Sequence, residues 1–336
     1  MNASTVLCST CKHNSAARAI KKPGTPFSCR KLGFDCAGVE RCYYYDGPSY
    51  PVDVAIITAV DIETQALMRH LLPNGAKAWR DGDRLLDFRY SHAEFRSDSQ
   101  DMKISLVAAE ANRNGLPSAA ILATKLCRQF EPDYLVMVGI TAGREKDTEI
   151  GDIIVPIEVY DYGAGKWNQA RFRPNYRPMA TNDDLVNMSR TIAEDKQSLQ
   201  VIRDEWPSAA APRSAPLIHT REKAVSGAAV VNSQAVWRLI DEHDKDVIAI
   251  DMEAYAVALA AFQCRHSQRR QGPAKVLIAK SVCDFGVRKS NELQDYAAYT
   301  SVRFLRLFFL ELMRRARLQA GSGRPRAREL RNAPVP

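Results

Sequence analysis

The 336-residue chain is long enough to bury one full-sized core with appendages, and its 46% hydrophobic and 26% charged residues are ordinary globular proportions. Its formal charge of +8 sits in the ends: residues 1–50 hold seven basic against three acidic residues, residues 314–336 seven arginines against one glutamate, and residues 51–313 are net −2. A uniformly basic surface made to bind a polyanion is therefore excluded, and no apolar run approaches the eighteen or so residues of a membrane-spanning helix.

The opening MNASTVLCSTCKHNS lacks the basic and then apolar pattern of a secretory leader, so the expected setting is cytoplasmic. Five of the eight cysteines, Cys8, Cys11, Cys29, Cys36 and Cys42, follow in C-x2-C-x17-C-x6-C-x5-C spacing. In a cytosolic chain such a cluster indicates a metal site before a disulfide framework. Structural zinc is the expected occupant, with an iron–sulfur cluster or free thiols as the alternatives. YYYDGPSYP, residues 43–51, has the punctuation of a linker, which makes 1–50 a small Cys-rich module.

After the linker, VDVAIITAV reads as a buried strand and DIETQALMRHLL as a helix, with Ile62, Ala66, Leu67 and Leu71 at helical spacing. PSAAILATKLCRQF, residues 117–130, predicts a helix opening on Pro117, and DYLVMVGI a buried strand. GDIIVPIEVYDYG predicts a strand interrupted at Pro156. Residues 163–220 are polar, Pro-rich and poorly periodic, a covering insertion or a helix-bearing loop. Strand then helix recurs at 246–251 and 252–262, and again at AKVLIAKSV and YAAYTSVRFLRLFFLELMRRA. This alternation predicts a three-layer α/β/α domain over 51–313 around a twisted, mostly parallel mixed sheet. Residues 314–336 read as a basic, disordered tail.

Four polar groups fall just past predicted strand ends: Glu63, then Thr141 with Gly143, then Glu253, then Asp284. Ligands of open α/β sheets bind beside the carboxyl ends of strands, so these groups can share one pocket. Taken singly, Asp61 and Glu63 fit first-turn acids that favour the helix dipole, GITAG fits a tight strand-to-helix turn, and Asp284 fits a cap. GITAG is neither a dinucleotide fingerprint nor a Walker loop. Glu253, inside DVIAIDMEAYAVALAAF, resists such a reading, because a buried carboxylate costs several kcal/mol unless something polar meets it.

Five segments in order resemble the nucleoside phosphorylase and nucleosidase superfamily, closest to its methylthioadenosine/adenosylhomocysteine nucleosidase branch. They are VAIITAVDIETQAL, VMVGITAGREKDTEIGDIIVP, VSGAAVV, IDMEAYAVA and SVCDFG, spread between Val52 and Leu312. The resemblance implies cleavage of a purine N-glycosidic bond without a catalytic cofactor. By it, Glu63 activates water and Asp284 protonates the leaving base. Met252 and Glu253 hold the ribose, Val230 belongs to the base pocket, and Thr141, Ala142 and Gly143 are further substrate contacts. Thr141 stands where the family has Ser, Val230 where it has a stacking Phe, and Cys283 where Ser precedes the acid. TAVDIETQ lacks the Gly and Arg of a phosphorylase phosphate loop, so water is the expected nucleophile.

YDYGAGKWNQARFR and HTREKAVSG bring Lys166, Arg171, Arg173, Arg221 and Lys223 near predicted strands. Such cations bind phosphates readily, so an adenine nucleotide is a candidate substrate, and Lys166 and Arg221 are candidate contacts; the alternative is a solvated surface. This resembles the nucleosidase effectors of bacterial antiviral systems, which degrade adenine nucleotides beside sensor modules. The resemblance also implies a homo-oligomer. The competing classes are a phosphate-dependent phosphorylase, a nucleotide-sensing module that does not cleave, and, ranked last, a nucleic-acid binder using the basic ends.

Overall fold

The structure, a computed structural model, describes residues 51–82, 88–97, 101–169, 171–207, 211–264, 272–287 and 293–321. The Cys-rich segment with Cys8, Cys11, Cys29, Cys36 and Cys42, and hence the expected zinc site, lies outside the described residues, as does the tail after 321.

β1 (Val54–Thr58) is buried along its whole length and apolar up to its last residue, as a strand covered on both faces must be. It leads through two residues into α1 (Asp61–His70). β2 (Arg80–Asp81), β3 (Ser91–Arg96) and β4 (Lys103–Glu110) then build an edge in which β2–β3 and β3–β4 run antiparallel. α2 (Leu116–Phe130) opens with proline in its first turn, where no N–H partner is lost. Its buried Ala119, Leu122, Ala123, Leu126 and Phe130 keep helical spacing. β5 (Tyr134–Gly143) is the spine of the sheet.

β6 (Ile153–Ile154), β7 (Glu158–Asp161), the separate hairpin β8 (Gly165–Asn168) and β9 (Arg171–Pro174), and β10 (Met179–Ala180) follow. Next come α3 (Asp183–Glu194) and α4 (Lys196–Asp204), each capped by a side chain, Asn182 and Asp195 respectively. β11 (Ile218–His219), β12 (Lys223–Ser226), α5 (Gln234–Asp241), β13 (Val247–Asp251), α6 (Ala254–Gln263), β14 (Lys275–Asp284) and α7 (Gln294–Gly321) complete the described chain.

The main sheet runs β10-β7-β12-β13-β5-β1-β4-β3-β2, with β14 beside β5 and β6, and β6 beside β11. Parallel pairs join β1 to β4 and β5, β14 to β5, and β12 to β7 and β13. The last residues of β5 turn to pair antiparallel with β13, so Ala142 is the register partner of both Ile250 and Asp284. One core lies between the sheet and α2 with α6, whose alanines let the two helices lie close together. The other lies between the sheet and α1, α3 and α7. The expected three-layer α/β/α architecture is thus the observed one. Among the described residues no helix is long and apolar enough to cross a membrane.

The structure differs from the sequence reading in two places and decides between its alternatives in a third. GITAG is not a turn into a helix; Thr141, Ala142 and Gly143 continue β5, because two neighbouring strands supply them with ladder partners. Residues 163–220 contain α3 and α4, the helix-bearing alternative, with Leu185, Met188, Ile192, Leu199 and Ile202 buried. α7 continues through Arg314, Arg315 and Arg317, residues assigned to the tail, and Glu311 pairs with the first two.

Candidate active site

Glu63 is the third residue of α1, and its side chain folds back against the strand end that precedes the helix. Its Oε2 accepts the Ala59 N–H at 2.6 Å and the Val60 N–H at 3.3 Å, and Oε1 accepts the Ile140 N–H of β5 at 2.8 Å. The first-turn reading is therefore correct as local structure, because a carboxylate at this position reaches back to unpaired helix-start donors. Burial nonetheless raises its pKa above the ordinary 4.5, against the opposing pull of Lys280 and of the Ala59 and Ile140 N–H groups. β5 permits this approach only at Gly139, where an added Cβ would lie 2.0 Å from Glu63 Oε1. Gly139→Ala is expected to cost about 1–3 kcal/mol by overpacking, read as a lower urea midpoint; an unchanged midpoint would mean that the carboxylate does not lie against β5.

Glu253 follows β13 and stands before α6, with its carboxylate buried. Its Oε1 accepts the Gly115 N–H at 2.9 Å, and Lys280 Nζ donates to Oε2 at 2.9 Å. The same ammonium lies 2.8 Å from Asp251 Oδ2. Asp251 in turn accepts the Ser226 hydroxyl at 2.5 Å and the Ala254 N–H at 3.0 Å, tying the start of α6 to β12 and β13. Burial alone would lower the Lys280 pKa, but the carboxylates of Asp251, Glu253 and Glu63 outweigh it and hold the amine above the ordinary lysine range. The polar group that a buried Glu253 requires is thus supplied within the chain, by a lysine in the middle of β14.

Asp284 ends β14, buried, with Oδ1 accepting the Gly286 N–H at 2.7 Å. The Cys283 thiol lies 3.4 Å from both Asp284 Oδ2 and the Thr141 carbonyl, and can donate to one at a time. Thr141 itself donates to the Ile250 carbonyl at 2.9 Å, which directs its hydroxyl into the sheet.

A cavity of about 450 Å³ opens where these strand ends meet. Its walls bring together Glu63, Thr141, Val230, Met252, Glu253 and Asp284, with Ala142 between them. The volume lies in the ~300–1,000 Å³ range of small-molecule sites. Gly143 is not part of the wall; it is a packing position, where a Cβ would meet Thr148 Oγ1 at 2.3 Å. Lys166 and Arg221 are also absent from it. Lys166 is exposed on the β8–β9 hairpin, and Arg221 precedes β12, whose other end faces the cavity. Lys223, at the same end of β12 as Arg221, is paired with Glu158 and Asp244. Asn114 and Gln294 line the cavity without having been singled out in the sequence. Lys280 was overlooked too, although a lone cation in the apolar run VLIAKSV raises the same question as Glu253.

The sequence profile of the phosphorylase superfamily matches residues 53–284, a span that holds every described cavity residue except Gln294. The chain is similar to the ATP nucleosidase Cap17 of Escherichia coli strain KTE188, 26% identical over 259 residues, covering 69% of this chain and 46% of Cap17. It is also similar to the 5′-methylthioadenosine/S-adenosylhomocysteine nucleosidase of Maridesulfovibrio salexigens, 27% identical over 153 residues, covering 44% of this chain and 58% of that one. The chain spans about half the length of these curated relatives. Among solved structures, the Neisseria meningitidis nucleosidase of the same name, in complex with methylthio-immucillin-A, superposes with a TM-score of 0.56 at 20% identity. That likeness covers 76% of this chain and 97% of the other, and shows a shared fold.

Proposed function

The chain belongs to the phosphorylase superfamily, and from that membership we propose that it hydrolyses the N-glycosidic bond of an adenine nucleoside or nucleotide. The observation that carries the reading is one cavity whose lining includes Glu63, Met252, Glu253 and Asp284 together.

In the proposed reaction a water molecule attacks C1′ and gives a proton to Glu63. The C1′–N9 bond breaks, and Asp284 gives a proton to N7, so adenine leaves neutral. A carboxylate whose pKa is raised by burial is a better proton acceptor near neutral pH than an ordinary glutamate. Glu253 keeps lone pairs beyond those used by Gly115 and Lys280, and these accept the ribose hydroxyls. Lys280 fixes the carboxylate for that task, so the sugar meets a preset acceptor.

Water is favoured over phosphate because none of the described residues lining the cavity is Arg or Lys. A phosphate nucleophile needs such donors. The nucleotide alternative draws on the similarity to Cap17 rather than on any cation in the described wall.

The test is incubation of the purified chain with methylthioadenosine, adenosine, AMP and ATP, with free adenine and the sugar product quantified in the presence and absence of phosphate. Adenine release independent of phosphate is the expected result. Ribose 1-phosphate as product would replace the reading by phosphorolysis, and tight binding without release would replace it by nucleotide sensing. Release from ATP would extend the proposal to a nucleotide-depleting role.

A further inference from the structure

One buried aromatic residue outside the cavity is bonded to the turn that carries Asp284. Trp237, on α5, is 4% exposed, and its indole N–H donates to the Phe285 carbonyl at 2.9 Å. A second bond joins the same two segments, from the Ser233 N–H to the Gly286 carbonyl at 2.8 Å. Gly286, with φ +65°, donates its own N–H to Asp284 Oδ1 at 2.7 Å. A Cβ at Gly286 would lie 3.1 Å from Trp237 Nε1, so the ring and the turn are in close contact and only glycine suits the backbone there.

The ring has a second, cationic neighbour. The Arg144 guanidinium, buried, lies 5.5 Å from the Trp237 ring centre, donates to the Lys245 carbonyl at 2.9 Å and pairs with Asp241 of α5. Arg144 directly follows the end of β5, which supplies Thr141 and Ala142 to the cavity. Val231, packed in the same cluster as Trp237, is also part of the cavity wall.

We propose that Trp237 is a positioning residue for Asp284: by holding the Phe285 carbonyl it sets the turn so that the Gly286 N–H occupies Oδ1, and the proton destined for the leaving base is carried on Oδ2. A carboxyl oxygen that accepts an N–H is the carbonyl-like one of a neutral acid, so the bond at Oδ1 selects the oxygen that donates, with the Cys283 thiol given to its other acceptor, the Thr141 carbonyl. Loss of the indole N–H leaves the turn tied to this segment through the Ser233–Gly286 bond, which weakens the hold on Oδ1 and lets the proton sit on either oxygen. The inference rests on the assignment of Asp284 as the acid.

The experiment compares two substrates in Trp237→Phe, which keeps an aromatic ring over Arg144 but has no N–H. Adenosine needs its base protonated, whereas 4-nitrophenyl riboside releases a stable phenolate that does not. For adenosine, kcat is expected to fall about tenfold, the equivalent of one neutral hydrogen bond, with KM within about twofold. Cleavage of the nitrophenyl riboside is expected to keep its wild-type rate. A protein carrying 3-benzothienylalanine at position 237 keeps the bicyclic shape without the donor and must show the same split. Equal loss with both substrates, or no loss in either protein, overturns the positioning role. Asp284→Asn is the control: if it too affects both substrates alike, the acid assignment itself fails and the inference falls with it.

Discussion

Glu63→Gln is expected to lower kcat for base release by about 10²–10⁴-fold, the usual contribution of one general base, while substrate affinity stays nearly unchanged. The amide cannot take a proton from water, yet it keeps the size of the side chain that fills the gap against Gly139. The pH dependence supplies a second reading of the same group. The base works only when ionised, and burial raises its pKa above 4.5. The acid limb of kcat/KM is therefore expected above that value, with activity falling as pH drops through it. Stopped assays of adenine release across pH check both expectations. A variant retaining more than about a tenth of wild-type kcat would remove Glu63 from the chemistry.

Lys280→Met is the second large effect. Removing one partner of a buried ion pair leaves the other charge uncompensated, at a cost of about 3–5 kcal/mol, and here two carboxylates, Asp251 and Glu253, lose their cation together. The lysine pKa is raised on folding, so its contribution is fully present below the ordinary lysine value of 10.5 and is lost only as pH rises through the raised one. In the variant, the stranded carboxylates take up protons as pH falls, so the deficit is largest near neutrality and shrinks toward acid pH. Urea denaturation of both proteins between about pH 4 and 8 measures this, over a range in which carboxylates titrate. A deficit that does not change with pH would mean that the lysine acts by packing alone.

What the sequence made legible follows from periodicity and from charge in apolar surroundings. β1, α1, α2, β5, β13, α6, β14 and α7 carry long apolar patterns and were readable in it, though α7 runs on into the arginines read as tail. The edge built by β2, β3 and β4 received no assignment, because β2 is only two residues long and β3 is exposed at every second position, with Phe95 its one fully buried side chain. Glu253 was conspicuous because apolar residues flank it, but its partner in β14 is 27 positions away. Lys166 and Arg221 were grouped by proximity to strands, whereas strand direction decides which end faces a pocket, and only the fold supplies that. Trp237 shows no pattern of its own; its meaning comes from a carbonyl 48 residues downstream.

The double partnership of Ala142 fixes more than a register. Because Ile250 and Asp284 both align with that one residue, the segment carrying Met252 and Glu253 and the segment carrying Asp284 are spaced by ladder geometry, two inter-strand steps of about 4.8 Å. That spacing is set within the sheet, where β14 shifts register between Val282 and Asp284 to bring the acid opposite Ala142. The connection into β13 can be varied on the α5 side of Lys245, whose carbonyl holds Arg144, as long as the ladders form. The chain therefore offers a rigid frame whose surroundings are open to rebuilding for new substrates.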